Sequence, residues 1–285
     1  MYRAKEVGGG YEIFDPAMHG RVVDRLELEN GLRRAVKQDE FVVHYQPIVR
    51  LDDGGVFAVE ALVRWEHPER GLLHPDEFVP VAEKNGLVVQ MGEKVLEEAC
   101  RRTRTWQDEN PQAPPPVTSV NLSAWQLGRR DLAEVVEKTL GKAGLEARFL
   151  SLDVTETVYV RALNKNTAAF SRLRALGVGI SIDDFGVGYS SLSYLKRLPA
   201  DALKVDKSFI SDLGEDAEDA AIVQTIVELA HTLGMKVVAE GVETEGQASL
   251  LREMGCDFGQ GFYFSEPLPP EEASAFLNAT NRGLA

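Results

Sequence analysis

Cysteine is scarce: Cys100 and Cys256 are the only two in 285 residues, they lie far apart, and neither belongs to a metal-ligand spacing. A disulfide framework is thereby excluded, and the usage fits a reducing compartment. Long apolar runs are missing too. None is long enough to span a bilayer, and the opening Met1-Tyr2-Arg3-Ala4-Lys5-Glu6 carries no apolar signal segment. The chain is therefore expected in the cytoplasm, with no membrane contact of its own. Positive charge is in deficit, with 31 Lys and Arg against 45 Asp and Glu and a formal net charge of −14. That excludes coating of duplex nucleic acid, whose affinity comes from neutralised phosphates. A small anionic ligand stays open where metal ions or a few placed cations meet it. Low complexity is confined to Pro114-Pro115-Pro116, which marks a loop.

What is present is enough for a full core: 44% of the residues are hydrophobic, and the length suits one large α/β barrel. Residues 1–20, with Gly8-Gly9-Gly10 and Asp15-Pro16, read as a tail or linker. Val22, Val23, Leu26, Leu32 and Val36 recur at helical spacing and predict an amphipathic helix over Val22–Val36. After Glu40, β-branched runs alternate with longer amphipathic stretches. The strands are predicted at Phe41–Tyr45, Val56–Leu62, Val117–Leu122, Leu150–Val154, Gly179–Asp183, Ala202–Val205, Lys236–Ala239 and Phe258–Gln260. Helices are predicted at Leu87–Arg104, Leu132–Leu140, Thr167–Leu176, Ile222–Leu233 and Gln247–Glu253. Such alternation implies a largely parallel sheet, and eight strands are the number that closes a (β/α)8 TIM-type barrel. The first two runs have no helix between them, so that pair can be antiparallel.

Nearly every predicted strand ends on an ionisable or metal-capable residue. Glu60, Asn121, Asp153, Asp183-Asp184, Lys204 and Glu240 follow in order, and Gln260 closes the series. Singly, each acid is more simply a helix N-cap or a solvated loop charge. Together they are harder to explain that way, because strand C-termini in a barrel converge on one rim. Like charges gathered there are tolerable only with cations among them or with some acids protonated. Carboxylates plus one amide are oxygen donors of the kind Mg²⁺ and Mn²⁺ prefer.

At Glu60-Ala61-Leu62-Val63-Arg64-Trp65 the chain resembles the EAL domain family of cyclic di-GMP phosphodiesterases and receptors. The resemblance runs from about Glu27 to Pro269. It includes Gln46-Pro47-Ile48, Val120-Asn121-Leu122-Ser123, the segment Asp183-Asp184-Phe185-Gly186-Val187-Gly188-Tyr189-Ser190-Ser191-Leu192, Leu203-Lys204-Val205-Asp206, Ala239-Glu240-Gly241-Val242-Glu243 and Gln260-Gly261. It implies a barrel with an antiparallel first strand, two divalent ions (Mg²⁺ or Mn²⁺), cyclic di-GMP as substrate and linear pGpG as product. Position by position, it implies Glu60, Asn121, Asp153 and Asp183 around one ion, and Asp183, Asp184 and Glu240 around the other. Glu240 would also act as a base, and Lys204 would hold the attacking water. Gln46, Leu62, Arg64, Glu243 and Gln260 would contact or support substrate. Glu156 would steady the loop Asp184–Leu192, through which the family also makes homodimer contacts. Met1-Tyr2-Arg3-Ala4-Lys5 resembles the last helix of a GGDEF domain. That makes 1–20 a linker or GGDEF remnant, and 21–285 an EAL barrel with a connector helix, within a parent that could be membrane-anchored.

Two departures from the family pattern stand out. Asp153 replaces the glutamate usual at its position, a carboxylate shorter by about 1.5 Å. Weaker metal affinity, or a preference for Mn²⁺, is expected from it. Val187 replaces a small polar residue between two intact glycines. Non-catalytic binding of cyclic di-GMP is the main alternative, with Asp153 in its favour; hydrolysis of another phosphoester is the third. The five histidines show no ligand spacing: His67 and His74 read as solvated, His44 as a packed core residue before one facing the rim, and Trp65 and Trp106 as packing residues. Asn121-Leu122-Ser123 matches a glycosylation sequon without a secretory signal and carries no weight.

Overall fold

Two-residue alternation along each strand sorts side chains between a barrel's interior and its helix-covered outside. The computed structural model describes residues 16–112, 114–165, 168–188, 200–214 and 216–283. Strands β1 (Phe41–Arg50) and β2 (Val56–His67) form an antiparallel hairpin that sets Gln46 opposite Glu60. A short β3 (Gly71–Leu73) pairs with the outer end of β2. Then come β4 (Val117–Asn121), β5 (Leu150–Thr155), β6 (Gly179–Phe185), β7 (Ala202–Val205), β8 (Lys236–Glu240) and β9 (Phe258–Gln260). Strand β2 pairs in parallel with β4, each later strand pairs in parallel with the next, and β9 returns antiparallel to β1. Eight strands thus close the expected α/β barrel with an antiparallel first strand, and β3 stands outside the ring.

The outward positions are apolar and buried: Val120, Leu152, Val154, Ile180, Ile182, Leu203, Val205, Val237 and Ala239. Each of the Val, Leu and Ile side chains among them stabilises by roughly 1.5–3 kcal/mol on burial. Between them lie Ser119, Asn121, Asp153, Ser181, Asp183, Lys204 and Glu240, which therefore share the inward face. A one-residue slip in any strand would exchange the two sets and drive charge into the helix layer. The aliphatic positions therefore fix which way the polar ones point.

Around the ring lie α1 (Pro16–Gln38), α2 (Pro75–Lys84), α3 (Val88–Glu109), α4 (Ala124–Leu127), α5 (Leu132–Ala143), α6 (Glu156–Lys165), α7 (Ala168–Leu176), α8 (Ala217–Thr232), α9 (Glu245–Glu253) and α10 (Pro270–Gly283). A second apolar cluster ties α1 and α2 to the hairpin through Leu28, Leu32, Ala35, Trp65 and Phe78. Trp65 is fully buried, and its Nε1–H donates to Glu40 Oε2 at 2.9 Å. Gly31 permits this contact, since a Cβ there would stand 2.9 Å from Trp65 Cη2. Trp65 and Trp106 are thus packing residues, and Cys100 and Cys256 are free and buried.

Helix α1 begins at Pro16, upstream of the predicted Val22, because proline is accommodated in a helix's first turn. Strands β1 and β2 run on to Arg50 and His67, since their cross-strand ladder continues past the apolar runs. Four described helices have no counterpart in the prediction: α2, α4, α6 and α10. Helix α2 is masked by Pro75 and Pro80, and α6 follows β5 with no intervening turn residue. Thr167, predicted to open α7, lies outside the described residues, as do 1–15 and 189–199. Among the described residues no helix is long and apolar enough to cross a membrane.

Candidate active site

Lys204, in the middle of β7, is the hub of the rim. Its side chain is 2% exposed, and Nζ lies 2.6 Å from Glu240 Oε1, 3.1 Å from both Glu60 Oε2 and Asp153 Oδ2, and 3.4 Å from Asp183 Oδ1. Those acids come from β8, β2, β5 and β6, so the barrel brings together residues spread over 180 positions, from Glu60 to Glu240. Glu60 is held further by Asn121, whose Nδ2 donates to Oε1 at 2.6 Å. Gln260 Nε2 donates to Glu60 Oε2 at 2.7 Å and to Gln46 Oε1 at 3.0 Å, and Gln46 Nε2 donates to the Ser265 carbonyl at 3.0 Å. Eight of the sequence-predicted residues thus form one contiguous network: Gln46, Glu60, Asn121, Asp153, Asp183, Lys204, Glu240 and Gln260.

Asp184 joins at the mouth. Its backbone adopts φ 53°, uncommon for a residue with a side chain, and its N–H donates to Asp183 Oδ1 at 3.1 Å. One carboxylate oxygen each from Asp183, Asp184 and Glu240 lies within 4.8 Å of the others. Over this mouth opens a cavity of about 390 Å³, lined in part by Leu62, Asn121, Asp153, Asp183 and Asp184.

Among the described residues, charge in the cluster is unbalanced, one ammonium among five carboxylates once Asp184 is counted. Burial pushes Glu240 up to about 8; Lys204 opposes that push, while Asp183 and Glu60 add to it. Burial likewise takes Asp183 to about 6, with Lys204 opposing and Asp153, Glu60 and Asp184 reinforcing. Burial alone would raise Glu60 too, but the Lys204 charge and the bonds from Gln260 and Asn121 hold it below the usual carboxylate range. Burial would lower Lys204, and the surrounding acids overcome it and raise the ammonium well above its ordinary value. With no further cation, some of these acids keep a proton at neutral pH. The set fits divalent cations on chemical grounds, since it offers clustered hard oxygen donors short of positive charge.

Not every candidate enters this network. Arg64 is buried, and its Nη1 donates to the Val63 carbonyl at 2.9 Å. Glu243 is exposed on the turn after β8. Glu156, at the start of α6, is buried and accepts the Gly186 N–H at 3.2 Å, a contact that holds the beginning of the Asp184–Leu192 loop. The rest of that loop, 189–192, and its dimer contacts lie outside the described residues. His44, expected in the packed core, is half-buried opposite Leu62. Burial and the neighbouring Arg64 charge lower its pKa. His67 Nδ1 accepts the Glu69 and Arg70 N–H groups at 3.2 Å, and His74 is exposed.

Ser119 is the site residue the sequence reading passes over. Its Oγ donates to Asp153 Oδ1. The signal for it was the strand period, since it lies two residues before Asn121 on the same face. Gly261, after Gln260, marks the closest backbone approach at the rim. A Cβ there would fall 2.1 Å from the Val242 carbonyl oxygen.

Known proteins resemble this geometry in sequence and in shape. The family model described as "EAL domain" matches residues 29–267. Among curated proteins, the bifunctional diguanylate cyclase/cyclic di-GMP phosphodiesterase MucR of Pseudomonas aeruginosa is 48% identical over 276 residues, covering 96% of this chain and 40% of MucR. The cyclic di-GMP phosphodiesterase NbdA of the same organism is 45% identical over 280 residues, covering 98% of this chain and 36% of NbdA. The chain therefore spans two fifths or less of either protein. A solved structure described as "PaMucR Phosphodiesterase, c-di-GMP complex" superposes with a TM-score of 0.83 at 48% identity, covering 87% of this chain and 99% of that one.

Proposed function

The chain belongs to the EAL domain family, and we propose that it hydrolyses cyclic di-GMP to linear pGpG with two divalent cations, Mg²⁺ or Mn²⁺. The observation that carries the reading is the three-carboxylate group at the mouth, with Lys204 beneath it. Asp183, Asp184 and Glu240 would hold one ion, and Glu60, Asn121, Asp153 and Asp183 the other. Bound there, the ions would lower the pKa of water and withdraw charge from a phosphate oxygen.

The protein's own groups do the rest. Glu240, ionised with the cations in place, accepts a proton from the attacking water at Oε1 or Oε2. Lys204 Nζ, 2.6 Å from Glu240 Oε1, orients that water and offsets negative charge as the phosphorus becomes five-coordinate. Asn121 and Gln260 hold Glu60 in one rotamer from two sides. Arg64, after release from the Val63 carbonyl, offers a planar fork to the second phosphate. Leu62, which lines the cavity over the mouth, would contact the nucleotide, and Gln46 and Glu243 would contact or support it. Glu156 steadies the loop after Asp183, and the Asp184–Leu192 region would form the homodimer contact. Residues 21–285 would be the cytoplasmic catalytic unit of a longer protein, with 1–20 the linker from a preceding GGDEF domain.

One observation favours a second reading, a receptor that binds cyclic di-GMP without cleaving it. Asp153, fully enclosed, faces Ser119 and Lys204 and stands outside the Asp183–Asp184–Glu240 group. Incubation of purified protein with cyclic di-GMP and either metal, followed by product separation, decides between them. Accumulating pGpG supports the enzyme; tight binding with no pGpG in either metal replaces it with the receptor.

A further inference from the structure

The lower half of the barrel holds a second cavity, and we propose that it binds a small apolar molecule carrying one anionic group. Below the Lys204 cluster the lining positions are small: Ala58, Ser119, Ser151, Gly179, Ser181 and Ala202. Barrels of this type normally fill that level with branched side chains. Here the small residues leave a cavity of about 400 Å³, within the range of small-molecule sites. It opens among the first residues of the parallel strands, including Val117, Leu150, Gly179, Ala202 and Lys236. That is the end of the barrel opposite Asp183 and Glu240, so this is a separate room with its own door.

Three features of the lining point to the class of ligand. Its body is apolar, with Ile48, Val238 and the stacked rings of Phe57 and Phe258, whose centroids lie 4.1 Å apart. Water alone is a poor occupant of such walls, since each molecule needs two to four polar partners. Next, the Ser151 and Ser181 hydroxyls sit 3.1 Å apart and can turn one donor inward. Finally, Arg148, Arg174 and Lys236 line the cavity's door with Asp201 as the one acid among the described lining residues, while Lys204, its ammonium held by the acids above, offers its aliphatic stem. At this door bases outnumber acids, in a chain where acids outnumber bases 45 to 31.

Two of the cations at the door are held only loosely. Arg148 and Arg174 pair with Glu146 and Asp201, with side chains 68% and 45% exposed and partners 67% and 50% exposed, whereas Lys236 is fixed at 2.6 Å by the largely buried Asp257. Exposed pairs of this kind contribute little and are readily exchanged for an incoming carboxylate. Lys204 and Ser119 also line the cavity, so an occupant would press on two residues of the cluster above. The inference stands apart from the proposed hydrolysis and is tested by binding alone.

The probe is indole-3-acetate, an apolar ring with one carboxylate, titrated into the whole chain by calorimetry and ligand-observed NMR. Its amide, of the same shape without charge, is the control. Saturable binding at one site per chain is expected, with Kd on the order of 1 mM or tighter and the amide at least roughly fivefold weaker. Gly179→Val and Ser151→Leu, each folded by circular dichroism, fill the room and weaken binding at least roughly tenfold. A Cβ at Gly179 meets nothing nearer than Ser151 Oγ at 3.4 Å, so the backbone tolerates it. Arg174→Gln weakens the acid but not the amide. Absence of saturable binding, equal binding of the amide, or binding undiminished in both filled variants overturns the proposal.

Discussion

Replacing Lys204 by methionine removes the ammonium while keeping the length of the stem. At an effective dielectric near 20, each of its four contacts at 2.6–3.4 Å contributes about 5–6 kcal/mol of attraction, roughly 20 kcal/mol in all. Most of that offsets the several kcal/mol it costs to desolvate each ion, so the intact cluster is close to neutral in stability. Taking away the cation alone leaves the carboxylates' desolvation uncompensated, and the expected loss is about 3–5 kcal/mol without divalent cations near pH 8. The pH dependence has a definite sign. Asp183 and Glu240 are raised to about 6 and about 8, so the folded state holds their protons more tightly than the unfolded chain does. Their contribution is fully present below the unfolded carboxyl value, about 4, and is lost as pH climbs through the folded values. Lys204→Met raises both further, and its deficit therefore grows from about pH 5 to about pH 8. Urea unfolding followed by circular dichroism, with EDTA and again with Mn²⁺, measures it. Mn²⁺ is expected to restore much of the loss. A deficit equal at the two pH values, or none near pH 8 in EDTA, would refute the view that Lys204 is the internal counter-ion.

Three further perturbations probe other levels of the structure. Asp153→Glu lengthens the carboxylate held by Ser119 and Lys204 and is expected to tighten Mn²⁺ binding roughly 10–100-fold by calorimetry; an unchanged isotherm would show that this position does not reach the ions. Gly261→Ala drives a methyl into the Val242 backbone and is expected to cost about 3 kcal/mol, the upper end of overpacking; a melting temperature within a degree or so of the parent would contradict the geometry. Asp257 accepts Lys236 Nζ at 2.6 Å, His231 Nε2 at 2.8 Å and the Val237 N–H at 3.0 Å, bonds that outweigh the upward push of burial and hold its carboxyl below the ordinary value. Asp257→Asn is therefore expected to cost about 1–2 kcal/mol in urea unfolding near pH 7, a difference that fades as acid protonates the parent; a cost that persists near pH 2 would assign it to packing instead.

The barrel was legible because its strands carry one consistent alternation. All eight predicted runs begin where the observed strands begin; six end within two residues of them and the first two stop five residues short, and the hairpin without a helix announced its antiparallel pairing. Residues at strand ends were legible for the same reason, since period two and a closed ring leave them one place to converge. Helices α2 and α6 were hidden by local chemistry: prolines at Pro75 and Pro80 in one, and an abrupt strand-to-helix passage at Glu156 in the other. Ser119 carries no charge and stands beside Thr118 in a short β-branched strand, so only its spacing from Asn121 could have marked it. Which of its partners each acid faces was beyond the sequence. Lys204 could have reached toward solvent; its place beneath Glu60, Asp153, Asp183 and Glu240 depends on how the barrel closes.

That place makes Lys204 a partition as well as a counter-ion. Above it the interior is acidic and short of cations; beside it, below the cluster, the walls are small, apolar and edged with basic residues. A buried ammonium with four acids on one side is anchored to that side, because leaving any of them would expose a carboxylate without a partner. Its aliphatic stem then remains for the lower room, where apolar contact costs nothing. The same alternation that points Asp153, Asp183 and Glu240 upward sets Ser151, Ser181 and Val238 two residues beneath them. Filling the lower level with larger side chains would press on the lysine stem from below, and through it on the spacing of the acids that a divalent cation must bridge. Small residues there leave the hub free to settle where the carboxylates pull it.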